Sequence, residues 1–230
     1  MPNTLLLWDI DGTLIDSGHA GKRALRAGMG KALGINDALD WLDFFGRTDL
    51  WVAREVLRHH GLAETPANID RLLDGYLAEL GPAMASPPAR VLPGAREIVG
   101  AVAARPEIAQ GLLTGNLRRG AEGKLAPLGL WKFFPFGAFA DDSEFRNDLG
   151  PHAVRRASGH HGVTFAPGRV FVIGDTPHDI ECGKAVGAQT IAVATGRHSL
   201  EELRASQPSA ALASLADPAA FFAAIGCPSG

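Results

Sequence analysis

The sequence has little cysteine, no long apolar segment and no excess of basic residues. Two cysteines in 230 residues give neither a disulfide framework nor a cysteine-rich metal site. No apolar run approaches the length that crosses a bilayer, so a membrane protein is not expected. The formal net charge of −3 provides no basic field for nucleic acid, so any recognition of phosphate must be local.

The overall composition is that of an ordinary globular protein, with 46% hydrophobic and 20% charged residues. Residues 1–4 lack a basic segment followed by a long apolar one, so we expect no signal peptide and a cytoplasmic location. The length suits one large domain or two modest ones. A monomer and a homodimer are both compatible with the sequence.

The first apolar run ends in two carboxylates. Residues 5–8 read as a buried parallel strand, and Asp9, Asp11 and Gly12 follow it directly. Ligands bind at the carboxyl ends of strands in open α/β sheets, which makes both aspartates candidates for a site. One carboxylate could attack an electrophile and hold a divalent cation, while the other exchanges a proton with the leaving group. A plain strand-end turn uses the same residue types, so this motif alone does not decide.

The rest of the chain divides into a helical part and an alternating part. Helices are predicted over residues 19–33, 47–60 and 66–84, which makes residues 16–88 a small helical bundle inserted after the first strand. From residue 91 onward strands alternate with helices, which is typical of an α/β protein with a parallel sheet. The predicted domains are therefore a sheet domain of residues 1–15 and 89–230 and a helical domain of residues 16–88.

Two later strands also end in polar residues. One is followed by Thr114, Gly115 and Asn116, and the other by Asp175 and Asp179. Because the carboxyl ends of parallel strands share one edge, these groups can converge with Asp9 and Asp11. Clustered carboxylates need a cation, and ligand sets made only of oxygen favour Mg²⁺. The Thr114 hydroxyl beside Gly115 suits a phosphate oxygen, and Asn116 is predicted to cap the next helix.

Taken together, these motifs resemble the haloacid dehalogenase superfamily, in its phosphatase branch with an inserted helical cap. Residues 9–13, 112–116 and 174–179 match its first, second and fourth motifs, and the resemblance covers essentially the whole chain. The sequence is similar to phosphoglycolate phosphatase-like and β-phosphoglucomutase-like members. This resemblance implies a Rossmann-like doubly wound core, a helical cap over residues 16–88, Mg²⁺ and an aspartyl-phosphate intermediate.

The resemblance also implies a role for each matching residue. Asp9 would be the nucleophile and Asp11 the general acid and base. Thr114, with Gly115 and Asn116, would bind the phosphoryl group of the substrate. The metal would be held by Asp9, the main-chain carbonyl of Asp11 and Asp175, and Asp179 would support this metal shell.

The third motif of the family, usually a lysine followed by proline, is not matched. The stretch before Pro151 contains no lysine, and an alignment on that proline places Asp148 at the lysine position. A cation is still needed beside a phosphoryl group and carboxylates. Arg146 is the nearest one and is predicted to be catalytic, with Lys132 and Lys184 as weaker candidates.

The sequence therefore predicts a Mg²⁺-dependent phosphatase that acts on a small phosphorylated metabolite, with no nucleic acid or membrane partner. Substrate choice is expected to come from the cap, where Arg47 is the leading specificity residue and His19 and Lys22 are second choices. Two alternatives remain. One is a phosphomutase acting on a sugar phosphate, and the other is a catalytically weak regulatory or binding protein that keeps the fold.

Overall fold

The computed structural model describes residues 1–227 and places them around a six-stranded parallel sheet. The strands are β1 (Thr4–Trp8), β2 (Ile15–Asp16), β3 (Arg90–Val91), β4 (Ile108–Leu113), β5 (Gly137–Ala138), β6 (Val170–Gly174), β7 (Gln189–Val193) and β8 (Ala210–Leu212). The order in the sheet is β5-β4-β1-β6-β7-β8, and every neighbouring pair is parallel. This arrangement confirms the predicted α/β class.

Nine helices accompany the strands within residues 1–227. They are α1 (Ala20–Leu33), α2 (Asp49–His59), α3 (Pro66–Ala85), α4 (Ala95–Ala103), α5 (Arg118–Leu125), α6 (Leu149–His161), α7 (Pro177–Ala185), α8 (Leu200–Ala205) and α9 (Pro218–Ala224). Short 3₁₀ helices cover Trp131–Phe133, Arg146–Asp148 and Pro167–Arg169. Over this described part of the chain, no helix has both the length and the apolar character that a membrane span requires.

Strand β1 is buried on both faces, as its unbroken apolar sequence requires. Leu6 and Trp8 belong to a hydrophobic cluster that includes residues of α4 and α9, and the Trp8 ring stacks on Phe221 with 5.3 Å between centroids. Leu5 and Leu7 point into a second cluster, which includes residues of α6. Helices therefore cover both faces of the sheet, and the predicted doubly wound arrangement is confirmed.

Helices α1, α2 and α3 lie in one continuous segment between β2 and β3. Thr48 begins α2 as predicted, because its hydroxyl oxygen accepts a hydrogen bond from the Trp51 amide at 3.1 Å. Helices α1 and α3 cross where Gly28 meets Gly75, and a Cβ atom on Gly28 would lie 2.4 Å from the Gly75 carbonyl carbon. Two glycines thus allow the two helix backbones to touch.

The chain enters and leaves this helical segment through one antiparallel ribbon. Strand β2 pairs with β3, with Ile15 opposite Val91 and Asp16 opposite Arg90. An ion pair between Arg90 Nη2 and Asp16 Oδ2, 2.9 Å long, joins the two strands. The sequence patterns did not predict these two strands. The division into a sheet domain of residues 1–15 and 89–230 and a cap of residues 16–88 remains a prediction.

Two details of the sequence-based assignment were wrong. Asn116 does not cap α5. The Leu117 amide donates instead to Asp49 Oδ2 at 2.8 Å, and the Arg118 amide donates to Asp141 Oδ2 at 2.7 Å. Two carboxylates compensate the positive end of the helix and leave the Asn116 side chain for other contacts.

The carboxyl-terminal part, expected to be only helical, contains strand β8, whose three residues are too few to give an alternating pattern.

Candidate active site

The polar residues that follow β1 and β6 meet at one edge of the sheet. Carboxylate oxygens of Asp9, Asp175 and Asp179 lie within 4.8 Å of one another, and these residues are 6%, 3% and 2% exposed. The Thr13 hydroxyl donates to Asp175 Oδ1 at 3.3 Å, which links the turn after β1 to the end of β6. The parallel topology thus places three acidic side chains in one buried cluster.

Two glycines make room for the Asp175 carboxylate. Gly12 has a φ of 81°, and a Cβ atom there would lie 2.4 Å from Asp175 Oδ2. A Cβ atom on Gly196, after β7, would lie 1.7 Å from the same oxygen. Backbone therefore encloses this carboxylate from two sides, and any other residue at either position would displace it.

Arg146 extends into the acidic cluster from the 3₁₀ helix after β5. Its Nη2 donates to Asp9 Oδ1 at 2.9 Å and to Asp179 Oδ1, and its side chain is only 8% exposed. Its Nη1 donates to the Gly46 carbonyl oxygen at 3.3 Å. The two weaker candidates lie elsewhere: Lys132 is exposed beside Phe133, and Lys184 donates to the Ser206 carbonyl oxygen. Of the three cations considered from the sequence, the structure brings Arg146 to Asp9.

The cluster carries more negative charge than its own residues balance. Burial raises the pKa of Asp9 to about 6, although Arg146 acts against this effect; Asp179 and Asp11 add to the increase. Burial, with Asp179 and Asp9, raises the pKa of Asp175 well above its usual value. Burial alone would lower the pKa of Arg146, but Asp179 and Asp9 outweigh it and raise that pKa. The raised pKa values of Asp9 and Asp175 reflect the cost of holding several carboxylates out of water.

The donor set of the cluster fits a divalent cation such as Mg²⁺. Three buried carboxyl groups lie beside one guanidinium, which bonds Asp9 and Asp179, so ionisation of all three would leave two negative charges unbalanced. All the donor atoms are oxygens, the ligand type that Mg²⁺ prefers. Asp179 Oδ2 accepts bonds from the Thr176 amide and hydroxyl at 3.0 and 2.7 Å, and its Oδ1 accepts from Arg146. Asp9 and Asp175 are therefore better placed as direct ligands than Asp179 is.

Asp11 lies in a different environment, beside a lysine that sequence analysis missed. Lys124 Nζ donates to Asp11 Oδ2 and to Asn116 Oδ1, both at 2.6 Å, and the Ser17 hydroxyl donates to Asp11 Oδ1 at 2.9 Å. Burial acts to raise the pKa of Asp11, but the Lys124 charge and these hydrogen bonds outweigh it and lower that pKa. Asp11 is thus held as a carboxylate whose charge already has a partner.

A signal for Lys124 existed in the helical periodicity of α5. Gly120, Ala121 and Leu125 form the buried face of this helix, and Lys124 lies on that face with 4% exposure. Positions three and four residues apart share one side of a helix. A lysine among small and apolar residues on the inward face therefore indicates a buried partner, whereas the sequence analysis considered only lysines near the third motif.

The loop after β4 lies against the start of α2. Asn116 Nδ2 donates to Thr114 Oγ1 at 2.8 Å and to Asp11 Oδ2 at 3.1 Å, and Thr114 is fully buried. The Asp49 amide donates to the Gly115 carbonyl oxygen at 2.7 Å, and a Cβ atom on Gly115 would lie 2.2 Å from the Arg47 carbonyl oxygen. Gly115 therefore permits the close approach of this loop and the helical segment.

A cavity of about 600 Å³ lies between the helical segment and this edge of the sheet. Asp9, Asp11, Thr114 and Arg146 form its polar end. Leucine, valine and tyrosine side chains from all three helices of the segment also line it, namely Leu25, Val52, Leu73 and Tyr76. The cavity is within the size range of small-molecule sites.

The residues proposed for specificity also line the cavity. His19, Lys22 and Arg47 all contribute to its walls. The Arg47 guanidinium lies over the Trp51 ring, 4.6 Å from its centroid, and Lys22 Nζ forms an ion pair with Asp40 Oδ1 at 2.8 Å. Arg197, after β7, is a further lining residue that the sequence analysis did not select. Its Nη1 contacts Asp43 Oδ1 at 3.0 Å and so joins the sheet side to the helical side.

Comparison with known proteins agrees with this architecture. The family described as haloacid dehalogenase-like hydrolase matches residues 6–184. No curated protein sequence matches the chain significantly.

Three solved structures show the same fold at low sequence identity. CbbY from Rhodobacter sphaeroides, solved in complex with phosphate, superposes with a TM-score of 0.72 at 22% identity over 94% of this chain and 96% of its own. A hydrolase from Pseudomonas syringae gives 0.71 at 19% identity, over 93% and 95%. A protein provisionally named β-phosphoglucomutase, from Bacteroides vulgatus, gives 0.70 at 23% identity, over 98% and 89%.

Proposed function

Because this chain belongs to the haloacid dehalogenase-like hydrolase family, we propose that it is a Mg²⁺-dependent phosphatase. Its substrate is a small phosphorylated metabolite, which binds in the cavity between the helical segment and the sheet. The reaction proceeds through a phosphorylated Asp9. The observation that carries this proposal is the arrangement of Asp9, Asp11 and Arg146 around the polar end of one cavity.

In the first step, an Asp9 carboxylate oxygen attacks phosphorus and the bond to the leaving oxygen breaks. Asp11 gives that oxygen a proton, which it receives from the monoanionic phosphate ester when the substrate binds, so the leaving group departs as an alcohol. In the second step Asp11 removes a proton from water, which attacks the phosphorus of the aspartyl phosphate and releases inorganic phosphate. Positioning and charge stabilisation supply most of the rate enhancement in phosphoryl transfer, and this site offers both.

The remaining residues hold the phosphoryl group. Arg146, already bonded to Asp9, can present its guanidinium to the phosphoryl oxygens, and the Thr114 hydroxyl with the loop of Gly115 and Asn116 lies on another side. Asp9, the Asp11 carbonyl and Asp175 would hold Mg²⁺, with Asp179 supporting them. When bound, this cation would neutralise the carboxylates and the phosphoryl oxygens as negative charge shifts between them. CbbY, a structural neighbour, was solved with phosphate, which is consistent with this proposal.

Release of phosphate from p-nitrophenyl phosphate, measured with and without Mg²⁺, tests the proposal directly. We expect turnover only with the cation, and we expect the variant Asp9→Asn to lose it. A panel of sugar and carboxylate phosphates then identifies the substrate class. Phosphate release that is unchanged in Asp9→Asn, or absent across the whole panel, would refute the proposal.

A phosphomutase is the second candidate, favoured by the helices that cover the cavity. A site of about 600 Å³ beneath these helices could retain a phosphorylated intermediate while a sugar phosphate reorients. A mutase would interconvert two sugar phosphates and release little phosphate, so following both products separates the candidates. The third possibility, a weakly catalytic binding protein, rested on the missing lysine, and the contact of Arg146 with Asp9 weakens that reasoning.

A further inference from the structure

The ammonium group of Lys124 is buried beside the Asp11 carboxylate. We propose that Lys124 is a positioning residue, which fixes the Asp11 carboxylate in the orientation that exchanges protons with the leaving oxygen of the substrate. This inference rests on the phosphatase function proposed above. It concerns the side chain of Asp11, which Lys124 contacts, and not the acidic cluster around Asp9.

Asp11 needs such support because its side chain borders open space. The side chain is 36% exposed and lines the cavity, so that without fixed contacts it could adopt other rotamers. Two donors hold Oδ2, Lys124 Nζ at 2.6 Å and Asn116 Nδ2 at 3.1 Å, while Ser17 holds Oδ1. A group that transfers protons must be held within a fraction of an ångström of its working position.

Lys124 also determines which way the Asn116 amide faces. A lysine ammonium only donates hydrogen bonds, so the amide atom 2.6 Å from Nζ must be the oxygen Oδ1. The amide nitrogen is then directed toward Asp11 Oδ2 and Thr114 Oγ1. One lysine therefore orients Asp11 twice, by direct contact and through the asparagine.

The position of Lys124 is itself tied to the helical segment. Lys124 lies on α5, whose first turn is held by Asp49 of α2 through the Leu117 amide, at 2.8 Å. The Asp49 amide in turn donates to Gly115 at 2.7 Å. Contact between the helical segment and the loop after β4 therefore sets α5 and, through it, the orientation of Asp11.

A leaving-group comparison distinguishes positioning from a purely structural role. The variant Lys124→Met removes the ammonium, and kcat/KM is measured with 2,4-dinitrophenyl phosphate and with a simple alkyl phosphate. Dinitrophenolate departs without a proton, whereas an alkoxide needs one. We expect kcat/KM for the alkyl phosphate to fall ~30-fold or more, within the range that general acid catalysis supplies. The value for the dinitrophenyl ester should fall by less than ~3-fold, because kcat/KM reports only the steps through the first transfer.

Two further variants complete the test. Lys124→Arg keeps a positive charge near Asp11 and should recover part of the alkyl phosphate activity. Lys31→Met removes an exposed lysine that pairs with Glu79 on the outer surface of α1 and α3, and both substrates should be turned over normally. Equal losses on the two esters in Lys124→Met, or no loss on either, would overturn the inference.

A crystal structure of Lys124→Met provides a readout that does not depend on turnover. We expect the Asp11 carboxylate and the Asn116 amide to leave their present positions in this variant. If both stay in place, Lys124 does not position them and the inference is overturned, even if the alkyl phosphate rate has fallen. If the wild-type enzyme hydrolyses neither ester, the proposed function fails. The structure then still decides whether Lys124 fixes Asp11.

Discussion

Asp9 and Asp11 leave the same strand two residues apart, yet they occupy opposite electrostatic environments. Asp9 faces Asp175 and Asp179 and shares one arginine with Asp179, and its pKa is raised to about 6 by burial among like charges. Asp11 has the Lys124 ammonium at 2.6 Å, and its pKa is lowered although partial desolvation of the side chain acts in the opposite direction. The distribution of partners, and not the depth of burial alone, separates the two carboxyl groups.

This difference in environment suits the two aspartates to different chemical roles. On the Asp9 side the unbalanced negative charge provides the attraction that a divalent cation needs. On the Asp11 side the charge is already paired, so this carboxylate can handle protons without ligating a metal through its side chain. Two residues in opposite electrostatic environments, on a turn that Gly12 makes possible, thus separate nucleophilic and proton-transfer chemistry.

The largest expected effect comes from removing the nucleophile on the Asp9 side. Asp9→Asn is nearly isosteric, but its amide neither attacks phosphorus nor ligates a cation well. We expect turnover to fall by at least ~10³-fold, the scale seen when a nucleophile is removed, with the fold intact by circular dichroism. If more than a tenth of the wild-type rate remains, Asp9 is not the nucleophile.

Removal of the metal tests the charge imbalance itself. Chelation by EDTA should abolish phosphate release and added Mg²⁺ should restore it, whereas Ca²⁺, which prefers more ligands and looser geometry, should substitute poorly. Mg²⁺ should also raise the melting temperature of the wild type, because the cation binds the folded cluster. The variant Asp175→Asn should show a smaller shift; an equal shift would place the metal elsewhere.

Arg146 is the next test, since it provides the only contact of an arginine with Asp9 in the described part of the chain. Arg146→Ala should lower turnover by ~10²-fold or more, as expected for the loss of one preorganised charge-stabilising group. Arg146→Lys should recover only part of the rate, because one ammonium cannot present two coplanar N–H groups to the phosphoryl oxygens.

Arg119→Ala is the matched control for Arg146, because Arg119 forms an exposed ion pair with Asp74 and should be replaceable without loss of activity. Normal turnover in Arg146→Ala would show that the site stabilises the phosphoryl group without this arginine. It would also return Lys132 and Lys184 to consideration.

The smallest expected effect concerns Asp49, a partly buried carboxyl group on the Lys124 side. Burial raises its pKa to about 6, although Lys124 and the Leu117 amide act against this shift. The unfolded chain ionises first as the pH rises, so the folded state loses stability between about pH 4 and pH 6. Asp49→Asn lacks this titration but can still accept the bond from Leu117.

The wild type should therefore lose up to ~2 kcal/mol relative to Asp49→Asn over this range, measured as the free energy of unfolding in urea. The comparison is best made without metal, so that metal binding to the folded state does not contribute. A difference that does not change with pH would mean that Asp49 ionises normally. The charge of Lys124 would then stabilise the carboxylate forms of both Asp11 and Asp49.

The sequence was most informative where many residues carry one signal. Strand β1 is predictable because a central strand is buried on both faces, and its five consecutive buried residues therefore include a continuous apolar run. Strands β2 and β3 have two residues each and depend on their pairing, which no local pattern records. For the same reason β8 was missed.

In the site, too, the sequence does not predict contacts that form only on folding. Arg146 was proposed because a phosphoryl group beside carboxylates requires a nearby cation, and it lies beside Asp9. Lys124 was missed because a lysine on a helix is usually solvated, and its partners are brought to it only by folding. Asn116 was assigned to a helix cap, a local role, while tertiary contacts gave that role to Asp49 and Asp141.

The β2–β3 ribbon gives the helical segment a mechanical property. The chain enters and leaves the segment at paired residues, Asp16 opposite Arg90, so both of its chain connections lie side by side and can act as one hinge. A small rotation at the ribbon would produce a larger displacement at Asp43 and Asp49, where the segment touches the sheet side. We therefore expect substitutions in the ribbon to change how readily the cavity opens. A viscosity dependence of kcat that changes in Arg90→Ala would be its signature.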